Sequence, residues 1–160
     1  MRHAKSSCTD ESLPDDERPL NERGKRDATR MGEFLRDSGL VPDFVLTSTA
    51  KRARQTAKRV CAAGAFEAPN EKCPQLYLSG HEAYIAQIAA VSDSIRTLLV
   101  IGHNPDIEGA LTRLTGVTEA MPTSTIACID MKKGCWSTID EKTKLVLSAI
   151  YRPKELAERD

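Results

Sequence analysis

The sequence predicts an α/β fold: a mostly parallel sheet covered by helices on both faces, with an antiparallel edge. Three observations predict it. Segments with helical spacing alternate with short apolar runs through most of the chain, the order produced by strand–helix–strand units. The run 97–101, TLLVI, is continuously apolar, as expected of a strand covered on both faces. The last strand-like segments, near 126–131 and 144–150, have no helix between them, which places an antiparallel pair at one edge. The chain of 160 residues suits a single domain, 1–160.

Taken in order, residues 6–18 are polar, hold Pro14 and several acids, and read as a surface loop. Asn21 reads as an N-cap with Glu22 in the first turn. Ala28, Met31, Phe34 and Leu35 follow at helical spacing until Gly39 ends the run. Residues 44–46 form a short apolar strand, and Thr47, Ser48 and Thr49 make the turn into a second helix carrying Ala53, Ala57, Val60, Cys61 and Gly64 on one stripe. A weaker strand is expected over 73–78, then a helix marked by Tyr84, Ile85, Ile88 and Ala89. After TLLVI, Asn104 is expected to cap a helix with Pro105 at its first position and with Ile107, Ala110, Leu111 and Leu114 on its apolar stripe. Residues 136–139 are a further strand candidate between the two late strands.

Composition narrows the function classes. Hydrophobic residues make up 40% of the chain, enough for a core, and the charged residues, 29%, cancel to zero. That balance gives no basic footprint for nucleic acid and no cationic face for a membrane. A neutral protein still has room for a cluster of cations in one cleft. The five cysteines, Cys8, Cys61, Cys73, Cys128 and Cys135, contain no CxxC pair and point to a reduced, cytoplasmic setting. The first ten residues are polar and carry no apolar signal core, and no apolar run is long enough to span a bilayer.

Ligands of open α/β sheets bind beyond the carboxyl ends of the strands. The polar residues that follow apolar strands are His103 after TLLVIG and Ser48 and Arg52 after FVLT, with Arg2 and His3 at the start of the chain. The common phosphate machinery is missing: there is no GxxxxGK loop, no GxGxxG, no cysteine with an arginine six residues later, and no DxD pair. No HxxxH or Cys/His cluster suggests zinc, so neither a metal nor a cofactor is expected. Taken singly, His103 at a strand end has a structural reading, Arg52 on a helix a solvated one, and His3 at a terminus a bland one. Their joint pattern carries the inference.

Four motifs stand in order: Met1-Arg2-His3-Ala4-Lys5-Ser6; Arg18-Pro19-Leu20-Asn21-Glu22-Arg23-Gly24; Arg52-Ala53-Arg54-Gln55-Thr56; and Gly102-His103-Asn104-Pro105. Together they resemble the histidine phosphatase superfamily, the phosphoglycerate-mutase-like proteins, with RHA in place of that family's RHG. Tyr151-Arg152-Pro153 with Lys154-Glu155-Leu156 resembles the tail of the short bacterial phosphohistidine phosphatases. The resemblance implies a three-layer α/β/α sandwich and a phosphatase. It implies His3 as the nucleophile, Arg2 and Arg52 as clamps on the phosphoryl oxygens, and His103 as a further donor. His3 would be kept neutral by the nearby arginines. Asn104 is a candidate substrate contact as well as a cap. Lys5 and Ser6 are candidate pocket residues, whereas Arg54 is expected on the surface and His81 in a loop.

Two departures matter. The family sets its Arg-His pair at the end of an apolar first strand, but here Met1 directly precedes Arg2, so that strand is expected to be cut short and its neighbours' backbone groups left unpaired. Many relatives carry a catalytic acid soon after the third strand, yet Leu76-Tyr77-Leu78-Ser79-Gly80-His81-Glu82 has none at that place, and Glu82 falls a few residues late, at a helix start. A missing acid hurts transfer from an alcohol more than from a good leaving group. The expected partner is therefore a phosphorylated substrate, with a histidine-phosphorylated phosphotransfer protein favoured. The rivals are a small-metabolite phosphate ester, with Glu82 or His81 as proton donor, and a non-catalytic phosphate-binding module.

Overall fold

The computed structural model describes residues 1–8 and 12–156. Its first helix, α1 (Glu22–Asp37), starts where Asn21 accepts a hydrogen bond from the Gly24 amide at 2.8 Å and stops before Gly39, whose φ of 70° is open to glycine at little cost. Ala28, Met31 and Leu35 are buried on its inner face. The strand β1 (Phe44–Ser48) lies between β2 (Asn70–Cys73) and β3 (Leu98–Ile101), all parallel, with Val45 opposite Asn70 and Leu46 opposite Val100. Strand side chains alternate between faces. Val45, Leu99 and Ile101 pack toward α1 and α2 (Lys51–Gly64), while Phe44, Leu46, Leu98 and Val100 pack toward α3 (His81–Ala89) and α4 (Asp106–Thr115). The result is three layers, with α1 and α2 on one side of the sheet and α3 and α4 on the other. At the edge, β4 (Ile126–Asp130) pairs antiparallel with β5 (Val146–Tyr151).

Residues 1–3 run between β3 and β4 and join the two sheets. Met1 donates its amino group to the Val100 carbonyl at 2.7 Å, and its own carbonyl accepts from Gly102 at 3.1 Å. The amides of His3 and Arg2 donate to the carbonyls of Gly102 and Thr125, each at 3.0 Å, and Arg2 makes a parallel bridge with Gly102. Alongside Met1 the sheets part around an apolar cleft of about 640 Å³, lined by Leu98, Val100, Ile129, Trp136 and Leu145. Leu98 and Val100 are therefore only half-buried, although TLLVI reads as a strand covered on both faces. This cleft is lined by neither His3 nor His103.

Three sequence expectations need correction. The strand expected over 73–78 runs instead over Asn70–Cys73: Pro74 has no N–H to extend the ladder, and Pro74–Leu76 forms a 3-10 turn. The strand candidate 136–139 is also a 3-10 turn (Trp136–Thr138), closed by the Thr138 side chain, which accepts from the Cys135 amide and donates to its carbonyl. Asn104 does not cap α4. Its amide donates to Glu108 at 2.7 Å and to the Met121 carbonyl at 3.2 Å, and the helix begins at Asp106 after a cis Asn104–Pro105 bond. Among the described residues no helix is long and apolar enough to cross a membrane.

Candidate active site

The carboxyl ends of β1 and β3 and the segment after Arg2 meet at one edge of the sheet. His3 is held there through its backbone pairing with Gly102 and through Ala4, whose amide donates to Thr56 on α2 at 3.0 Å. Thr56 in turn donates to the carbonyl of Arg52 at 2.7 Å, and Gln55 accepts from the Leu20 amide at 2.8 Å. The helix that carries Arg52 thus also fixes both ends of the segment that follows His3. Gly24 permits the same closeness from α1, since a Cβ there would lie 2.1 Å from the Lys5 carbonyl oxygen.

The protonation pattern of His3 follows from its partners. Nδ1 lies 2.8 Å from the Ala4 carbonyl, which can only accept, so Nδ1 carries the hydrogen. Nε2 then presents its lone pair, and Arg52 Nε donates to it at 3.3 Å. The His103 ring lies 4.9 Å from the His3 ring, centroid to centroid, tilted by 51°. His103 Nε2 is 2.7 Å from Ser48 Oγ at the end of β1, and its backbone amide donates to the buried Tyr84 hydroxyl at 2.9 Å. Its Nδ1 is buried with no hydrogen-bond partner, as is Nε of Arg2. Arg2 Nη1 donates to the Met121 carbonyl at 2.9 Å, the carbonyl that also receives Asn104.

Both imidazoles are held neutral. Burial pushes His3 down to about 4, with Arg52 and Arg2 adding to the effect against the opposing bond to Ala4. Burial also pushes His103 down to about 3, helped by His3 and Arg52. The sequence reading credited the arginines with this effect. They contribute, but removal from water is the larger cause. Two guanidinium groups, two neutral rings and two unpartnered buried nitrogens gather here, a set of groups suited to an anion.

Arg2, His3, Arg52 and His103 therefore converge. Arg54 is partly exposed and pairs with Glu17 at 3.9 Å. Lys5 is exposed, and Ser6 accepts from Arg18 at 3.2 Å. His81 and Glu82 pair with each other at 3.5 Å at the start of α3 and touch none of the four. The sequence reading missed Asp15 and Tyr77. Asp15 Oδ2 accepts from Arg52 Nη2 and from the Tyr77 hydroxyl, each at 2.9 Å, and the Tyr77 ring stands edge-on to His103 at 5.4 Å. Asp15 sits among other acids in a polar loop and Tyr77 in a loop after β2, so neither carries a local signal.

Comparison with known proteins now bears on this geometry. The model of the histidine phosphatase superfamily (branch 1) matches residues 1–77. An uncharacterized protein of Mycobacterium tuberculosis is 36% identical over 151 residues, covering 88% of this chain and 92% of the relative. The chain belongs to the histidine phosphatase superfamily. It is a phosphatase of the phosphoglycerate-mutase-like fold. Among solved structures, the "putative phosphohistidine phosphatase SixA" of Agrobacterium tumefaciens superposes with a TM-score of 0.82 at 27% identity, over 96% of this chain and 95% of that one. The "Putative Phosphohistidine Phosphatase SixA" of Nakamurella multipartitia gives 0.82 at 29% identity, over 96% and 93%.

Proposed function

We propose that this phosphatase removes phosphoryl groups from phosphohistidine, acting on a histidine-phosphorylated protein through a covalent intermediate on His3. The observation that carries the proposal is the orientation of His3: Nδ1–H is fixed on Ala4, and the Nε2 lone pair faces Arg52 in a pocket that also holds His103. Arg2 and Arg52 grip the equatorial oxygens of the transferring group, and His103 adds a donor as charge builds there. Asn104 stands beside Arg2, both donating to the Met121 carbonyl, and contacts the bound substrate from there.

In the first step Nε2 bonds to phosphorus as the bond to the substrate ring breaks. The substrate ring, protonated at its other nitrogen, departs as neutral imidazole. Water then attacks phosphorus, the P–Nε2 bond breaks, a proton is released, and inorganic phosphate leaves a neutral His3.

The nature of the leaving group favours phosphohistidine over an ester. Among the described residues, the carboxyl group on Arg52 is Asp15. Its own burial opposes ionisation, but hydrogen bonds from Tyr77, Arg52 and Arg18 outweigh that and hold it at about 2. It stays a carboxylate and cannot protonate a departing alkoxide. A ring that leaves neutral needs no such acid. The two similar SixA structures support the same reading. A histidine-phosphorylated phosphotransfer domain and a panel of metabolite phosphate esters, assayed side by side, test it. The expected result is fast loss of phosphohistidine and slow ester hydrolysis. Preference for an ester, lost in Glu82→Gln or His81→Ala, would move the assignment to a metabolite phosphatase. No turnover of either class would leave a phosphate-binding module. The five free cysteines fit a cytoplasmic setting for such a substrate.

A further inference from the structure

Residues 14–17 form a strap against Arg52, with a single 3-10 turn at Asp15–Glu17. Its contacts fall on the catalytic arginine. Arg52 Nη1 donates to the Asp15 carbonyl at 2.5 Å and Nη2 to the Asp15 carboxylate at 2.9 Å, while Nε donates to His3. The guanidinium fork thus already grips two oxygens, in the arrangement it uses for a carboxylate or a phosphoryl group. The rest of the strap is anchored around that contact. Tyr77 donates to Asp15 Oδ2 at 2.9 Å, Arg18 Nη1 to Asp15 Oδ1 at 3.0 Å, and Lys51 lies 3.4 Å from Glu17. Arg2, by contrast, keeps a buried Nε with no partner, so the two clamps are in different states.

We propose that Asp15 is a built-in competitor for the phosphoryl site: its carboxylate and carbonyl occupy the Arg52 fork until an incoming phosphoryl group displaces them. The inference rests on Arg52 being a phosphoryl clamp, as in the proposed function. The competitor is easily displaced. The Arg52 side chain is buried but that of Asp15 is half exposed, so a single, partly hydrated carboxylate competes with a multiply charged oxyanion for the fork. Tyr77 helps hold the Asp15 carboxylate against Arg52, so the competitor weakens where that anchor is lost. The device weakens the hold on inorganic phosphate, so product leaves readily, and it sets negative charge beside the fork against multiply anionic metabolites.

Isothermal titration of tungstate into the intact protein at fixed ionic strength tests this. Asp15→Asn is expected to bind tungstate at least fivefold more tightly than the wild type, and Tyr77→Phe, which removes one anchor of the carboxylate, is expected to shift affinity the same way by a smaller factor. A strap with only a structural role would leave affinity unchanged or weaken it, and either result overturns the inference. If Asp15→Asn does not fold, Tyr77→Phe decides alone by the direction of its shift. Wild-type protein that fails to bind tungstate, or Arg52→Ala that binds it as well as the wild type, would remove the phosphoryl clamp itself and the competitor with it.

Discussion

At the scale of the residue, the account turns on two neutral imidazoles between two guanidinium groups. Arg52 cannot be replaced by lysine without loss, because an ammonium group offers no planar fork and cannot donate to His3 Nε2 while gripping two oxygens. Arg52→Lys is expected to lower kcat/KM by about a hundredfold, the scale of losing one preorganised donor, as measured on a phosphohistidine substrate. The depressed histidines give a second expectation. In the unfolded chain both rings take up protons near 6.5, whereas in the native protein they resist until about 4 for His3 and about 3 for His103. The unfolded state therefore binds more protons across that window, and the native protein loses stability as pH falls through it. Ring NMR should show neither histidine titrating between pH 8 and 5, and a midpoint near 6.5 for either would contradict the burial argument. These four residues were legible only as a set. Arg52 is separated from Arg54 by nothing local, and both could be solvated helix residues. Asp15 was hidden for the opposite reason: it is one acid among several in a loop, and its value comes from a contact 37 residues away in sequence.

At the scale of the element, α2 presents Arg52 and anchors what surrounds it. Thr56 takes the Ala4 amide, and Gly32 of α1 lets α2 approach so closely that a Cβ there would lie 2.3 Å from the Val60 carbonyl. Gly32→Ala must push backbone against backbone and is expected to cost about 1–3 kcal/mol in denaturant unfolding. Thr56→Val leaves the Ala4 amide buried without its acceptor, with an expected loss of about 1–3 kcal/mol. It should also reduce kcat more than KM, since His3 is then poorly aimed. Unchanged kcat would show that Ala4 does not need α2 to hold the proposed nucleophile. The helices were readable because caps and stripes are local: Asn21 and Gly39 bound α1 as their chemistry dictates. The shorter elements were less so. Pro74 moved a strand upstream, and the Asn104 amide spent its hydrogen bonds on Glu108 and Met121 rather than on a helix end.

At the scale of the whole molecule, residues 1–3 do two jobs: they join the parallel sheet to the antiparallel pair, and they carry the proposed nucleophile. The sequence led to the expectation of unpaired backbone beside this segment, whereas Val100, Gly102 and Thr125 all pair with residues 1–3; the cleft beside it could not be read from any one segment, since it is a property of two sheets that part. The central claim is the covalent step, and rapid quenching with a substrate carrying labelled phosphate on histidine tests it most directly. The expected result is acid-labile label on the peptide that contains His3, absent from His3→Ala. Phosphate released at full rate with no label on that peptide, or from the His3→Ala protein, would contradict the account.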